Sequence, residues 1–209
     1  MSNETSLKKQ NYPLLWSFFL FNLLVFLGLF FITHFETIKN DYRAIFTIRN
    51  SGIILMPIIL YIINGLISSN QKATLVFWKF KNPLPGSRAF SVHANKDFRV
   101  NKESLQSIYG LLPSEAAEQN KLWYKIYRKN ITDISVENSH REFLLGRDLV
   151  SITFLYIILA GLPAMIFAFS WFSFYYLIFL LVEYFILVRV ARNHGQRFVC
   201  NVLAVESAL

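Results

Sequence analysis

Long apolar runs without charge limit what this chain can fold into. Leu14 to Phe35 and Gly52 to Gln71 contain no Asp, Glu, Lys or Arg, and Leu149 to Val188 contains only Glu183. A hydrocarbon core about 30 Å thick needs about 20 apolar residues in a helix, so each of the first two runs suffices for one crossing. At 1.5 Å per residue the third would extend about 60 Å, twice the span, and must reverse once. The reversal is expected near Phe169 to Ser173. A break at Gly161-Leu162-Pro163 would leave a first segment too short to cross, so Pro163 is expected to kink the third helix instead. The pattern predicts a mainly α fold, a four-helix polytopic membrane protein of two transmembrane hairpins, with a small α+β cytoplasmic insert.

Hydrophobic residues make up 54% of the 209 and mean hydropathy is +0.38, too apolar for a water-soluble domain of this size. The first run lacks the short core and small-residue cleavage pattern of a removable signal and is expected to persist as an anchor. Cys200 is the only cysteine, so no internal disulfide can form. No CxxC or Cys/His spacing offers a zinc site, and no cofactor is expected.

Four segments follow: residues 1–71 with the first hairpin, a basic insert at 72–147, the second hairpin at 148–190 and a tail at 191–209. Lys8 and Lys9 precede the first helix, Lys39, Arg43 and Arg49 lie between the first two, and Arg189, Arg192 and Arg197 follow the fourth. The insert holds thirteen basic residues against seven acidic ones. With an even number of crossings, both termini and the insert share a side, and their excess of Lys and Arg is expected to make it the cytoplasm. The net charge of +8 thus belongs to the cytoplasmic face, where it attracts anionic headgroups at about 1 kcal/mol per residue. Basic and aromatic residues interleave in Trp78-Lys79-Phe80-Lys81 and in Trp123 to Lys129. Lys79, Lys81, Arg88, Lys125, Arg128 and Lys129 are therefore candidates for contact with membrane lipids, a nucleic acid or an acidic partner.

Within the insert, Trp78, Phe80, Phe90, Phe98, Tyr109, Trp123, Tyr127 and Phe143 are the candidate core, and so small a unit should lean on the helix ends or on other subunits of a homo-oligomer. Thr74 to Phe80 alternates and is expected as a strand, with continuation of the second helix as the competing assignment. Asn82-Pro83-Leu84-Pro85-Gly86 stops any regular element. A helix is expected from Ser114 to about Lys129, with Glu115 and Glu118 at its start and basic residues at its end. Another should begin near Asn138 or Ser139 and run into the third crossing.

Nucleotide-binding, zinc-protease and serine-hydrolase motifs are absent, and no catalytic residue is assigned. Ser87-Arg88, His93 and Asp97 approximate the Ser-Arg and His-x-x-x-Asp stretch of membrane lipid phosphatases, in which a histidine attacks phosphorus, an aspartate orients it and an arginine holds phosphate. The spacing is one residue short, and the companion motifs are missing. Inside the membrane an ionisable residue costs several kcal/mol unless it faces a partner or water. Glu183, Asn22, Asn64 and Tyr156 fall at similar depth and are expected to form one polar layer. It is interhelical glue, the lining of a water-filled path in an oligomer, or no layer at all if Glu183 snorkels to the interface.

The stretch Lys79-Phe80-Lys81-Asn82-Pro83-Leu84-Pro85-Gly86-Ser87-Arg88-Ala89-Phe90, directly after the second apolar run, resembles the small membrane effectors of bacterial anti-phage systems, the retron-associated ones in particular. That resemblance implies a non-enzymatic inner-membrane protein held inactive by a partner, a reverse transcriptase with its RNA-linked DNA, and released on infection to damage the membrane and stop the host cell. Those effectors usually have fewer crossings than four. A four-helix membrane sensor or scaffold of another defence system, of the Kiwa type, has a similar topology.

Overall fold

The computed structural model describes residues 2–40, 59, 62–167 and 169–208. These are helical almost throughout, in the order α1 (Ser2–Asn40), α2 (Ser69–Phe77), α3 (Lys102–Tyr109), α4 (Ala116–Lys129), α5 (Ile134–Tyr156), α6 (Leu162–Phe167) and α7 (Trp171–Ser207). Among the described residues, three helices are long and apolar enough to cross a membrane, within Leu7–Leu29, Ile134–Phe167 and Trp171–Ser207. Of the expected second crossing, residues 52–58, 60 and 61 lie outside the described residues, as do Arg43 and Arg49 of the connection before it; residues 62–66 are helical.

Contacts divide the chain into two units. The first comprises Met1–Lys9, Ser69–Arg147 and Val188–Leu209, and the second Gln10–Ser68 and Asp148–Leu187. The N-terminal residues, the insert and the tail, separate segments in the sequence, thus pack as one body.

The first unit contains no strand among its described residues, which corrects the expected α+β insert. Thr74 to Phe77 belongs to α2. A seven-residue alternation is too short to exclude a helix, and what decides is that Ala73, Val76 and Phe77, at helical spacing, are the residues that pack inward. Thr74 Oγ1 bonds back to the Asn70 carbonyl at 3.0 Å. The helix stops at Trp78, whose φ of 54° is left-handed. The orphaned Val76 carbonyl accepts from Arg192 Nε at 2.7 Å, and that guanidinium lies 4.1 Å over the Trp78 ring.

The proline corner then turns the chain onto α4. A Cβ on Gly86 would meet Trp123 Cε3 at 2.5 Å, so glycine is what lets the indole lie on this backbone. Pro85–Arg88 forms a 3-10 turn and Ala89–His93 a π-helical turn, tied to α4 by Gln119, whose Oε1 accepts from the amides of Phe90 and Ser91 at 3.1 Å each. The start of α4 is two residues later than expected. Glu115 caps it by accepting from the Glu118 amide at 2.9 Å, and these first-turn amides hold the Glu115 carboxyl below its ordinary range. α5 begins before the expected Asn138 because Asp133 caps it, accepting from the amides of Ser135 at 2.8 Å and Val136 at 3.2 Å.

The core of this unit joins Phe90, Leu105, Trp123, Ile126, Tyr127, Val136 and Phe143 to Phe198, Val199, Val202 and Leu203 of α7. Phe80 and Phe98 are not in it: they are 93% and 98% exposed, and Trp78 is exposed as well. The presumed tail supplies the apolar surface that these aromatics were expected to provide.

In the second unit Phe19, Ile152, Leu155, Tyr156, Ile157, Tyr176 and Leu180 form the core. Many large side chains of its helices face outward and are apolar, among them Leu20, Phe21, Leu24, Ile178, Val182 and Phe185. That much exposed hydrocarbon suits lipid, not water. The regular ladder gives way to a π-helical stretch at Ile157–Gly161, directly before Pro163 in α6. Proline removes one amide and crowds the carbonyl four residues back, and the wider turn accommodates both. The described part of α6 runs to Phe167 and α7 starts at Trp171, where a reversal is expected from length alone.

Candidate functional site

The polar side chains of the second unit lie on elements whose apolar composition leaves no Lys or Arg in the runs to pair them. Asn22 on α1 is fully buried and donates to Glu183 Oε1 at 3.4 Å and to the Phe18 carbonyl at 3.3 Å. Thr153 on α5, also buried, donates to Glu183 Oε2 at 3.4 Å. One carboxyl on α7 is thus gripped from two other helices by long bonds from neutral donors.

The other two predicted members do not join that carboxyl. Asn64 accepts from Ser151 Oγ at 3.0 Å. Tyr156 donates to the Phe19 carbonyl at 2.9 Å, with its ring 5.7 Å from that of Phe19. From Ser151 to Tyr156 the groups spread over about 7.5 Å of helix α5 at its usual rise. Asn22 Oδ1 and the Tyr176 hydroxyl are buried without a hydrogen-bond partner among the described residues. The arrangement holds a carboxyl among neutral donors and leaves acceptor capacity beside it, a setting in which a proton or a small cation could be taken up. Ser151 and Thr153 escape sequence reasoning, since their hydroxyls can satisfy themselves on their own helix and place no demand on a partner.

In the first unit the six candidate contact residues have different surroundings. Lys79, Lys81, Lys125 and Arg128 are exposed. Arg88 is half-buried with its guanidinium 5.6 Å from the centre of the Phe77 ring. Lys129 Nζ is paired to Glu206 at 2.6 Å. Arg88 and Lys129 therefore already have local roles, and the four others are open to solvent.

The phosphatase-like residues do not assemble. Arg99 engages the Asp97 carboxylate through Nη2 at 2.7 Å and Nε at 3.0 Å, holding it well below the ordinary range, at about 2. His93 is buried, with Nε2 lacking a partner among the described residues. Burial, with the charges of Arg88 and Lys96 adding to it, pushes its imidazole down to about 4. The aspartate that should orient the histidine is turned to an arginine instead. Cys200 is buried and unpaired with any other thiol, and among the described residues no group of three or more His, Cys, Asp and Glu side chains is placed to hold a metal ion.

One polar cluster has no counterpart in the sequence reading. The wholly buried Glu206 side chain accepts from the Tyr109 hydroxyl and Lys129 Nζ on Oε1 and from Asn130 Nδ2 on Oε2, each at 2.6 Å. Its partners lie 76 to 97 residues away, so spacing gives no hint of it. The chain matches no protein-family model, no curated protein and no solved structure.

Proposed function

We propose that this chain is a non-enzymatic membrane effector of bacterial antiviral defence. In this reading it crosses the inner membrane four times with both termini and the basic insert in the cytoplasm, and it permeabilises or disturbs the bilayer when a partner releases it. The observation that supports an active membrane part is the Glu183 carboxyl, held by Asn22 and Thr153 among otherwise apolar helices. A membrane protein built only to anchor has no use for a group that costs several kcal/mol to keep in hydrocarbon. The defence context is supported by the resemblance over residues 79–90. The exposed Lys79, Lys81, Lys125 and Arg128 suit an acidic partner such as RNA-linked DNA.

The test is expression of the chain alone in a bacterium while membrane potential and dye entry are followed. Depolarisation and arrested growth are expected. Glu183→Gln, which keeps the shape and removes the ionisable group, should abolish depolarisation while the protein reaches the membrane in equal amount. Harmless overproduction, or full activity of the variant, would overturn the reading.

A further inference from the structure

The two side chains that grip Glu183 stand at a separation that suits an ion better than a hydrogen bond. Asn22 Nδ2 and Thr153 Oγ1 each lie 3.4 Å from one of its carboxyl oxygens. A good N–H···O bond is roughly 2.7–3.2 Å long and an O–H···O bond roughly 2.5–3.0 Å, so both contacts are stretched. An oxygen ligand lies about 2.4 Å from a calcium ion or the similarly sized sodium ion, and two such ligands at right angles stand about 3.4 Å apart. The spacing around Glu183 is therefore that of neighbouring ligands on a small cation.

Each helix can offer an oxygen to it. Asn22 is fully buried; its Nδ2 makes only the long contact to Glu183 and one of 3.3 Å to the Phe18 carbonyl, and its Oδ1 has no partner among the described residues. The two ends of a carboxamide have the same shape. A half-turn of the group therefore gives up two weak contacts and places an oxygen beside the carboxyl and the Phe18 carbonyl. Thr153 is buried within α5, where its hydroxyl proton can go to the carbonyl one turn back and leave a lone pair toward Glu183. Oxygens from α1, α5 and α7 then converge on one point.

Charge sets the valence. Glu183 is the only charged residue from Leu149 to Val188, and Leu14 to Phe35 holds none. The phenols that sense it, Tyr156 and Tyr176, are neutral at ordinary pH. A single carboxylate balances a monovalent ion, whereas a divalent one would leave a net positive charge among apolar helices. Glu183 itself is only half-buried, which leaves an ion a way in.

We propose that Glu183, Asn22 and Thr153 form a binding site for a sodium ion in the membrane part, with water completing its shell. The inference rests on the reading of Glu183 as the working group of that part and names what the group binds. Binding is measured on purified protein and depolarisation in cells, so either can fail while the other holds.

The experiment follows the thermal midpoint of the full chain in detergent as sodium chloride replaces choline chloride at constant ionic strength and pH, with potassium chloride as the size control. A ligand that binds only the folded state raises the midpoint by mass action, and a saturable rise of about 3 °C or more is expected with sodium. Potassium should need at least about tenfold more for the same effect, a difference in binding of about 1.4 kcal/mol. Glu183→Gln should abolish the sodium response. Thr153→Val, which keeps the shape and removes the hydroxyl, should raise the half-saturating concentration about fivefold or more, and Thr153→Ser should restore it, with unchanged circular dichroism reporting an intact fold in each variant. Equal midpoints in sodium and choline would overturn the proposal, as would potassium acting as strongly as sodium. A midpoint that depends on Glu183 and pH but not on sodium would overturn it in favour of a proton site. A sodium response that Glu183→Gln and Thr153→Val both leave unchanged would place the ion elsewhere and overturn it too.

Discussion

Glu206 shows how much a single side chain can contribute. Hydrogen bonds to a charged group contribute roughly 1.5–3 kcal/mol each, although Lys129 is half exposed and its ionic share is screened by solvent. Glu206→Gln keeps the shape but sets an amide N–H against a donor that the carboxylate accepts. It is expected to cost the first unit about 2–3 kcal/mol, read as a lower denaturant midpoint in detergent; an equal midpoint would mean the cluster is already compensated by water. His93 predicts a pH effect. The unfolded chain takes up a proton at about 6.5, while the buried imidazole does so only at about 4. Between those values the unfolded state binds more protons, so stability falls as pH drops from about 6.5 to about 4. Thermal midpoints across that window should fall for the natural chain and fall less for His93→Gln. Equal slopes would assign the effect to other groups. Glu183 and Asn22 were legible in the sequence because hydrocarbon makes polar groups conspicuous there. Glu206 was not, because the groups that hold it lie 76 to 97 residues away and leave no local pattern.

Helices α5 and α7 meet in the first unit where a side chain is missing. A Cβ on Gly146 would lie 3.1 Å from the Ala191 Cα and 3.2 Å from its Cβ, and the helix runs through Gly146 without a break. Small residues are what permit backbones to approach so closely. Gly146→Leu should therefore force the helices apart and cost about 1–3 kcal/mol, as overpacking does. Gly28→Ala on α1, where nothing lies within 4 Å, should be neutral. Limited proteolysis of both purified variants checks the pair, and equal protection would refute the close-packing account. Elements whose signals are local could be read from sequence. α4 carries its acidic start, its basic end and its helical apolar spacing within one stretch, and the π-helical turn before Pro163 follows from a missing amide. α2 could not be read, because seven alternating residues fit both periods and only packing against residues distant in sequence decides between them.

At the scale of the whole molecule, three long apolar helices among the described residues mark this as a membrane protein by composition and length, and charge predicts its orientation. Alkaline phosphatase fused after residue 100 or after residue 208 should be inactive in an inner membrane, and fused near residue 45 active. Activity at the first two positions would invert the topology. The choice of core aromatics was the least legible part. Phe80 and Phe98 match Phe90 and Phe143 in chemistry, and their fates diverge because the end of α7, expected as a tail from residue 191, returns Phe198, Val199, Val202 and Leu203 to the insert.

That contribution of α7 bears on how the protein comes to be made. The insert leaves the ribosome some fifty residues before the segment around Phe198 to Glu206 that completes its interior. During that interval its greasy surface has nothing of its own to close over, so the nascent chain depends on chaperones or on insertion machinery to stay out of aggregates.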